Sequence, residues 1–239
     1  MTHVAHPYVQ RIGINRDWKS RWFTTDKKKF REYLRTDAAV RKLLEKKLKG
    51  MSIDAIEIER DEKAIRIIVR TSRPGLVIGR SGEGATSLKK EIDMLLRTLK
   101  LSEKPEIKLD IEEIRSPESS APIVGQMIAE GLEKRMPFRR VLKQTVEKVM
   151  ANRDVQGVRI IVSGRLGGAD MARKEELKKG RIPLQTLRAD IDFARVRATL
   201  PYGTIGIKVW IYRGEVFEDR RANANDAKKP GHNPRANRA

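Results

Sequence analysis

Residues 75–99, GLVIGRSGEGATSLKKEIDMLLRTL, constrain the fold more than any other part of this chain. Two helical patterns are broken there by Gly79-Arg80-Ser81-Gly82. After the break, Leu88, Ile92, Leu95, Leu96 and Leu99 recur at helical spacing and form one stripe. Glycine at both ends of the break lets the backbone turn sharply and lets another backbone approach without a Cβ in the way. Upstream, Ile56 and Ile58 alternate with Glu57 and Glu59, and Ile65, Ile67 and Val69 alternate with Arg66 and Arg70. With Asp61 and Glu62 between them, these runs predict a hairpin. Earlier still, Asp26 is placed to cap a helix from Lys27. Thr36 and Asp37 are placed to recap it ahead of the stripe Val40, Leu43, Leu44 and Leu48, which Gly50 ends. Pro105 opens a strand in which Ile107, Leu109 and Ile111 alternate with Lys108 and Asp110. The order over residues 26–114 is helix, strand, strand, helix, helix, strand.

A Gly-x-x-Gly turn alone is a weak signal. Between two helices, after a hairpin and before a strand, it resembles the clamp of a type II KH domain. Such a clamp holds a short single-stranded RNA segment by its sugar-phosphate backbone. Gly79, Arg80, Ser81 and Gly82 are then the candidate RNA-binding residues. Amides at the next helix's N-terminus face phosphate, and Arg80 adds charge.

The Ser- and Pro-rich run 115–122 marks a boundary. Helical patterns resume over 123–135 and 138–150, split at Pro137. Strand patterns follow in Val158, Ile160 and Val162, over 187–198, and in Ile205, Ile207, Val209 and Ile211, the last two segments flanking the turn Pro201-Tyr202-Gly203. Between them lies a glycine-rich loop, Gly164-Arg165-Leu166-Gly167-Gly168-Ala169, expected to lead into a helix within the charged segment 169–179. The loop fits neither GxxxxGK[ST] nor GxGxxG, which argues against a nucleotide-driven enzyme. The predicted class is α+β: an arm (1–25), a KH-like unit (26–114), an α/β unit with two helices packed on a sheet (115–217), and a basic tail poor in apolar residues (218–239) expected to be disordered.

Charge points to the partner. Lys and Arg number 52 against 32 Asp and Glu, a net +20 that is easiest to understand with a polyanion as the normal partner. Cysteine is absent, which removes disulfides, thiolate metal sites and cysteine nucleophiles. Histidine occurs only at His3, His6 and His232, so a triad or a His-ligated metal would have to recruit an end of the chain. No catalytic residue, metal or cofactor is therefore assigned. No apolar run spans a bilayer and the N-terminus carries no signal-like segment, so no membrane association and a cytoplasmic location are expected.

Two further basic features stand out. Arg139, Arg140 and Lys143 share one flank of the helix predicted from Phe138, with Lys143 about 40° and Arg140 about 100° from Arg139. On residue types alone they read equally as a patch gripping phosphates or as a solvated face paired with Glu147 or Glu133. In the arm, Arg11, Arg16, Lys19 and Arg21 interleave with Trp18, Trp22 and Phe23. That pattern suits RNA, but for Trp22 and Phe23 the favoured reading is that they staple the arm to the domain that follows, since an arm must dock somewhere.

The run Ser163-Gly164-Arg165-Leu166-Gly167-Gly168-Ala169, then Ala172-Arg173, then 183–192 (PLQTLRADID) and 202–211 (YGTIGIKVWI), resembles the bacterial ribosomal protein S-three family. Gly13-Ile14-Asn15 with Trp18 and Trp22, and 73–79 (RPGLVIG), resemble it too. The likeness covers about residues 11–215. It implies a structural protein of the small-subunit head, in contact with 16S rRNA, mRNA and the neighbouring head proteins S-ten and S-fourteen. It implies that Arg139, Arg140 and Lys143 line the channel by which mRNA enters and help unwind it. Arg11, Arg16, Trp18, Trp22, Arg165, Arg173 and Arg188 are further candidates for rRNA contact. The N-terminal residues 2–6 depart from the family's Gly-Gln-Lys-like start, and Glu176-Leu177 replaces its aromatic pair. A free-standing KH regulator of single-stranded RNA is the alternative.

Overall fold

The computed structural model describes residues 5–61, 64–99 and 105–217. Glu62 of the expected turn, residues 2–4 and the tail 218–239 lie outside the described residues. The elements are α1 (Pro7–Gln10), β1 (Ser20–Arg21), α2 (Lys27–Lys47), β2 (Ile53–Arg60), β3 (Ala64–Thr71), α3 (Pro74–Ile78), α4 (Glu83–Thr98), β4 (Glu106–Glu113), α5 (Ala121–Glu133), α6 (Phe138–Ala151), β5 (Gly157–Gly164), β6 (Arg173–Gly180), β7 (Ala189–Leu200) and β8 (Gly203–Glu215). They build two four-stranded sheets, ordered β1-β2-β3-β4 and β6-β5-β8-β7.

In the first sheet β2 and β3 form the hairpin that their alternation predicts, and β4 joins parallel to β3. Ile58, Ile67, Val69 and Ile107 point to α2 and α4, where Val40, Leu44, Ile92 and Leu96 complete the core. Burying each such side chain contributes on the order of 2 kcal/mol. In the second sheet all pairs are antiparallel. Val158, Ile160, Val162, Ile207 and Val209 pack against Val124, Ile128, Val141, Val146 and Val149 of α5 and α6.

Two expectations are corrected. The segment expected to be helical within 169–179 is the edge strand β6, pairing with β5 from Gly157 opposite Gly180 to Gly164 opposite Arg173. Its charged side chains suit an edge that must not recruit another strand. Likewise, Thr36 and Asp37 do not restart α2, which runs unbroken for 21 residues. Thr36 Oγ1 donates back to the Glu32 carbonyl at 2.6 Å. Asp37 is buried and accepts from Trp22 Nε1 at 2.8 Å and Arg60 Nη2 at 2.6 Å. Both partners come from outside the helix.

The arm ties the two sheets together. β1 adds to the free edge of β2, and the Lys19 carbonyl accepts from Ile58 N–H at 2.9 Å. α1 instead lies on the second sheet. Between the sheets, the Gln126 side chain of α5 acts as a short strand partner for Ile53, accepting from its N–H at 3.1 Å and donating to its carbonyl at 2.9 Å. Ser120, the N-cap of α5, donates to Asp54 at 2.5 Å. Burial raises the Asp54 pKa against the opposing pull of Ser120. Among the described residues, no helix is long and apolar enough to cross a membrane.

Candidate nucleic-acid interface

The Gly79–Gly82 turn joins α3 to α4 at the surface. Gly79 has φ +73° and Gly82 φ +80°, and even Ser81 sits left-handed at φ +51°. Such a conformation is strained for a residue with a Cβ, and it persists only where its surroundings hold it. They do: Gly84, two residues on, approaches the end of α3 so closely that a Cβ there would stand 2.7 Å from the Val77 carbonyl oxygen. Around Gly82, by contrast, a Cβ would meet nothing within 4 Å. Arg80 and Ser81 are exposed at the tip. A tightly held turn with one open backbone face, leading into a helix N-terminus, is suited to a sugar-phosphate strand. Gly84 escaped the sequence reading. Its signal was the second glycine in Gly82-Glu83-Gly84.

α6 presents the second basic group. Val141, Leu142, Thr145, Val146 and Val149 are buried, and this fixes the helix rotation so that Arg139, Arg140 and Lys143 face out. Neither Glu133 nor Glu147 pairs with them. Glu133 accepts from Thr199 N–H at 3.1 Å. Arg139 has a long contact with Glu175, at 3.4 Å, and lies over the Phe138 ring. Arg173 of β6 shares both Glu175 and the Phe138 ring, so the edge strand brings a fourth cation to the start of α6. Arg140 and Lys143 make no ion pair among the described residues. Two lone cations, with Arg139 and Arg173 sharing one carboxylate beside them, can hold a phosphate strand without reading its bases.

The remaining expected contacts divide. Trp18 is exposed. Arg11 is a correction. Its side chain is wholly buried, with Nε on Ala189 O at 2.7 Å, Nη1 on Pro7 O at 2.9 Å, and Nη2 on Leu184 O and Thr186 O at 2.9 Å each. Burial lowers its pKa, and Asp190 opposes that shift. A guanidinium spent on four carbonyls has nothing left to offer RNA. Trp22 packs edge-on against Phe30 and Tyr33 beside its bond to Asp37, so it staples the arm. Phe23 does not, being 88% exposed. Arg16 pairs with Asp190 at 2.6 Å and Arg188 with Glu215 at 2.7 Å. Arg165 closes its own loop on the carbonyls of Ala169 and Tyr202. Among the described residues, no group of three or more His, Asp or Glu could hold a metal ion.

Fold and surface together define an RNA-binding type of α+β protein: a KH unit followed by a second sheet with two helices on one face. Residues 39–119 match the KH domain, and residues 128–211 match the family described as "Ribosomal protein S3, C-terminal domain". The chain is 46% identical over 224 residues to the small ribosomal subunit protein uS3 of Caldicellulosiruptor saccharolyticus, covering 94% of this chain and 97% of that one. To uS3 of Coxiella burnetii (strain RSA 331) it is 44% identical, covering 90% and 91%. To that of Xanthomonas euvesicatoria it is 43% identical, covering 91% and 86%. The chain belongs to the bacterial S3 (uS3) family of small-subunit ribosomal proteins.

Proposed function

We propose that this chain is a structural constituent of the small-subunit head, in the cytoplasm, that binds 16S rRNA and lines the channel by which mRNA enters, beside the proteins S-ten and S-fourteen. The observation that carries the reading is α6, where Arg140 and Lys143 stand exposed with no carboxylate partner among the described residues and Arg139 has only a long one. Unpartnered cations on a rigid helix attract phosphates from either strand of a parting duplex. Translocation supplies the pull, and the helix lowers the free energy of the separated strands by charge. No nucleotide site or catalytic group is required. In this reading the Gly79–Gly82 turn is a backbone clamp for single-stranded RNA.

The test is the triple variant Arg139→Ala, Arg140→Ala, Lys143→Ala in reconstituted small subunits. Subunit assembly should be retained, because none of the three is buried, while passage through a downstream mRNA hairpin should slow. Normal hairpin passage by subunits carrying the triple variant would defeat the reading. A wild-type chain that sediments away from subunits at moderate salt would favour a free-standing KH regulator instead.

A further inference from the structure

The second sheet has two faces, and α5 and α6 cover one. Half of the other is covered by the chain itself. Ile182 and Leu184 pack on Ile191, Phe193, Trp210 and Tyr212, and the His6 ring stands edge-on to Phe193 at 4.7 Å. The remaining half is bare, and register decides what it shows. Arg195 lies opposite Lys208, Lys208 opposite Ile161, and Ile161 opposite Glu176. In the next row Arg197 lies opposite Gly206, Gly206 opposite Ser163, and Ser163 opposite Lys174. Arg195, Arg197, Lys208 and Lys174 are exposed, and none makes an ion pair among the described residues. The one carboxylate in these rows, Glu176, is taken by Arg159 at 2.9 Å.

Like charges directly opposite on neighbouring strands destabilise a sheet. Arg195 and Lys208 are such a pair, and no carboxylate among the described residues pairs with either. Burial, then Arg195, then Lys19 hold the His6 imidazole below its ordinary pKa.

We propose that this half-face docks a double-helical segment of the small subunit's own RNA through its phosphates. Single-stranded RNA is held by rings on which bases stack. Here Phe193 and Trp210 are buried, the first beneath Arg195 and the second beneath Arg159, so no ring is offered. What lies between the cations is small and flat: Ser163 and Gly206, where an added Cβ would stand 3.2 Å from Ser163 Oγ. The cations lie on β6, β8 and β7 and so span the sheet from edge to edge, about 14 Å at ordinary strand spacing, a breadth that suits a row of phosphates rather than one ion. Recognition by backbone and shape is how proteins hold helical RNA. The face lies across the sheet from α6, so the RNA it meets is not the strand at α6. The inference rests on the small-subunit reading but assigns a second, separate surface.

The test uses the full chain with Arg195→Gln, Arg197→Gln and Lys208→Gln. A charge-matched control removes three exposed lysines of α2 and its end, with Lys42→Gln, Lys46→Gln and Lys49→Gln. Binding to a blunt RNA duplex should weaken roughly tenfold to a hundredfold, with a log–log salt slope shallower by about three. The control should stay within about threefold of wild type. Purified subunits carrying the first variant should release it at lower salt than wild type. A duplex affinity equal to wild type, or an equal loss on an unstructured single strand, would overturn the proposal. So would loss of polyglutamate binding with duplex binding intact, which points to an acidic protein. Weakened duplex binding with unchanged release from subunits overturns the assignment to subunit RNA and leaves the small-subunit reading standing. A wild-type chain that never joins subunits overturns both. Should the triple variant fold poorly, Lys174→Gln with Lys208→Gln removes two exposed tips from the same face and must show the same selectivity for duplex.

Discussion

The two sheets have the same number of strands and both turn one face to helices, yet their outward faces are built on opposite rules. On the outward face of the first sheet Arg21, Arg66 and Arg70 are each neutralised by carboxylates of the sheet. Arg21 reaches Glu57 at 2.5 Å and Glu59 at 3.0 Å, Arg66 reaches Asp110 and Glu59, and Arg70 reaches Glu57 at 2.8 Å and Glu112 at 3.0 Å. Ile68 is buried in the middle of this lattice. On the bare half of the second sheet, cations oppose cations. A net charge of +20 is therefore not spread evenly over the molecule. The outward face of the KH sheet pairs its arginines with carboxylates and leaves Lys108 unpaired among the described residues; under the proposed function that unit meets RNA at its Gly79–Gly82 turn instead. The second sheet leaves its charge open on both sides, at α6 and on the bare half-face.

The largest effect should come from within the second face, where covered and bare halves meet. Arg11→Ala leaves four carbonyls around an empty slot and frees α1 from β7. Unmet buried carbonyls cost about 1–3 kcal/mol each when they cannot relax, and a combined loss of about 3–5 kcal/mol is expected. Arg195→Ala, on the bare half, should change stability by less than about 0.5 kcal/mol. Urea denaturation of both variants checks the contrast. A small effect at Arg11 would mean that the arm does not hold the covered half. Arg11→Lys should recover only part of the loss, because an ammonium cannot fork to carbonyls in several directions.

A smaller effect tests the paired face of the first sheet. Glu57 is buried and serves both Arg21 and Arg70. Glu57→Gln leaves each arginine its second carboxylate, so a loss of about 1–2 kcal/mol is expected, read by the same denaturation. No loss would place these pairs among the surface ion pairs that contribute nothing measurable, and the contrast between the faces would then be one of appearance.

How much of this was legible in the sequence follows from what depends on register. The hairpin, the Gly79–Gly82 turn and the buried face of α6 are local, set by period two, by glycine and by period 3.6, and each stands as the residues predict. The misread segments are those where distant partners override local preference. Residues 173–180 carry Glu-Glu-Leu-Lys-Lys, good helix formers, yet pairing with β5 makes them a strand. Thr36 and Asp37 look like a cap, but Trp22 and Arg60 make Asp37 an internal acceptor. Arg11 looks like every other arginine of the arm until the 184–189 carbonyls converge on it. The open face is hidden for the same reason. Arg195, Arg197 and Lys208 each read as an ordinary outward strand position, and only the pairing of β7 with β8 sets them side by side.

The smallest effect is the most discriminating, because its sign is opposite on two measurements. Lys208→Glu places a carboxylate directly across from Arg195, the arrangement that the KH sheet uses at Arg66 opposite Glu59 and at Arg70 opposite Glu112. A favourable cross-strand pair replaces a repulsive one, and stability should rise by about 0.2–1 kcal/mol. RNA-duplex affinity should fall, since one cation is lost and a second is neutralised. A variant that is both more stable and a poorer RNA binder shows that the bare half-face is kept open at a cost to the fold. If stability falls, the like charges are already separated by their flexible stems and carry no penalty. If duplex affinity is unchanged, RNA does not use this face. Either result removes the distinction between the two sheets at its most exposed point.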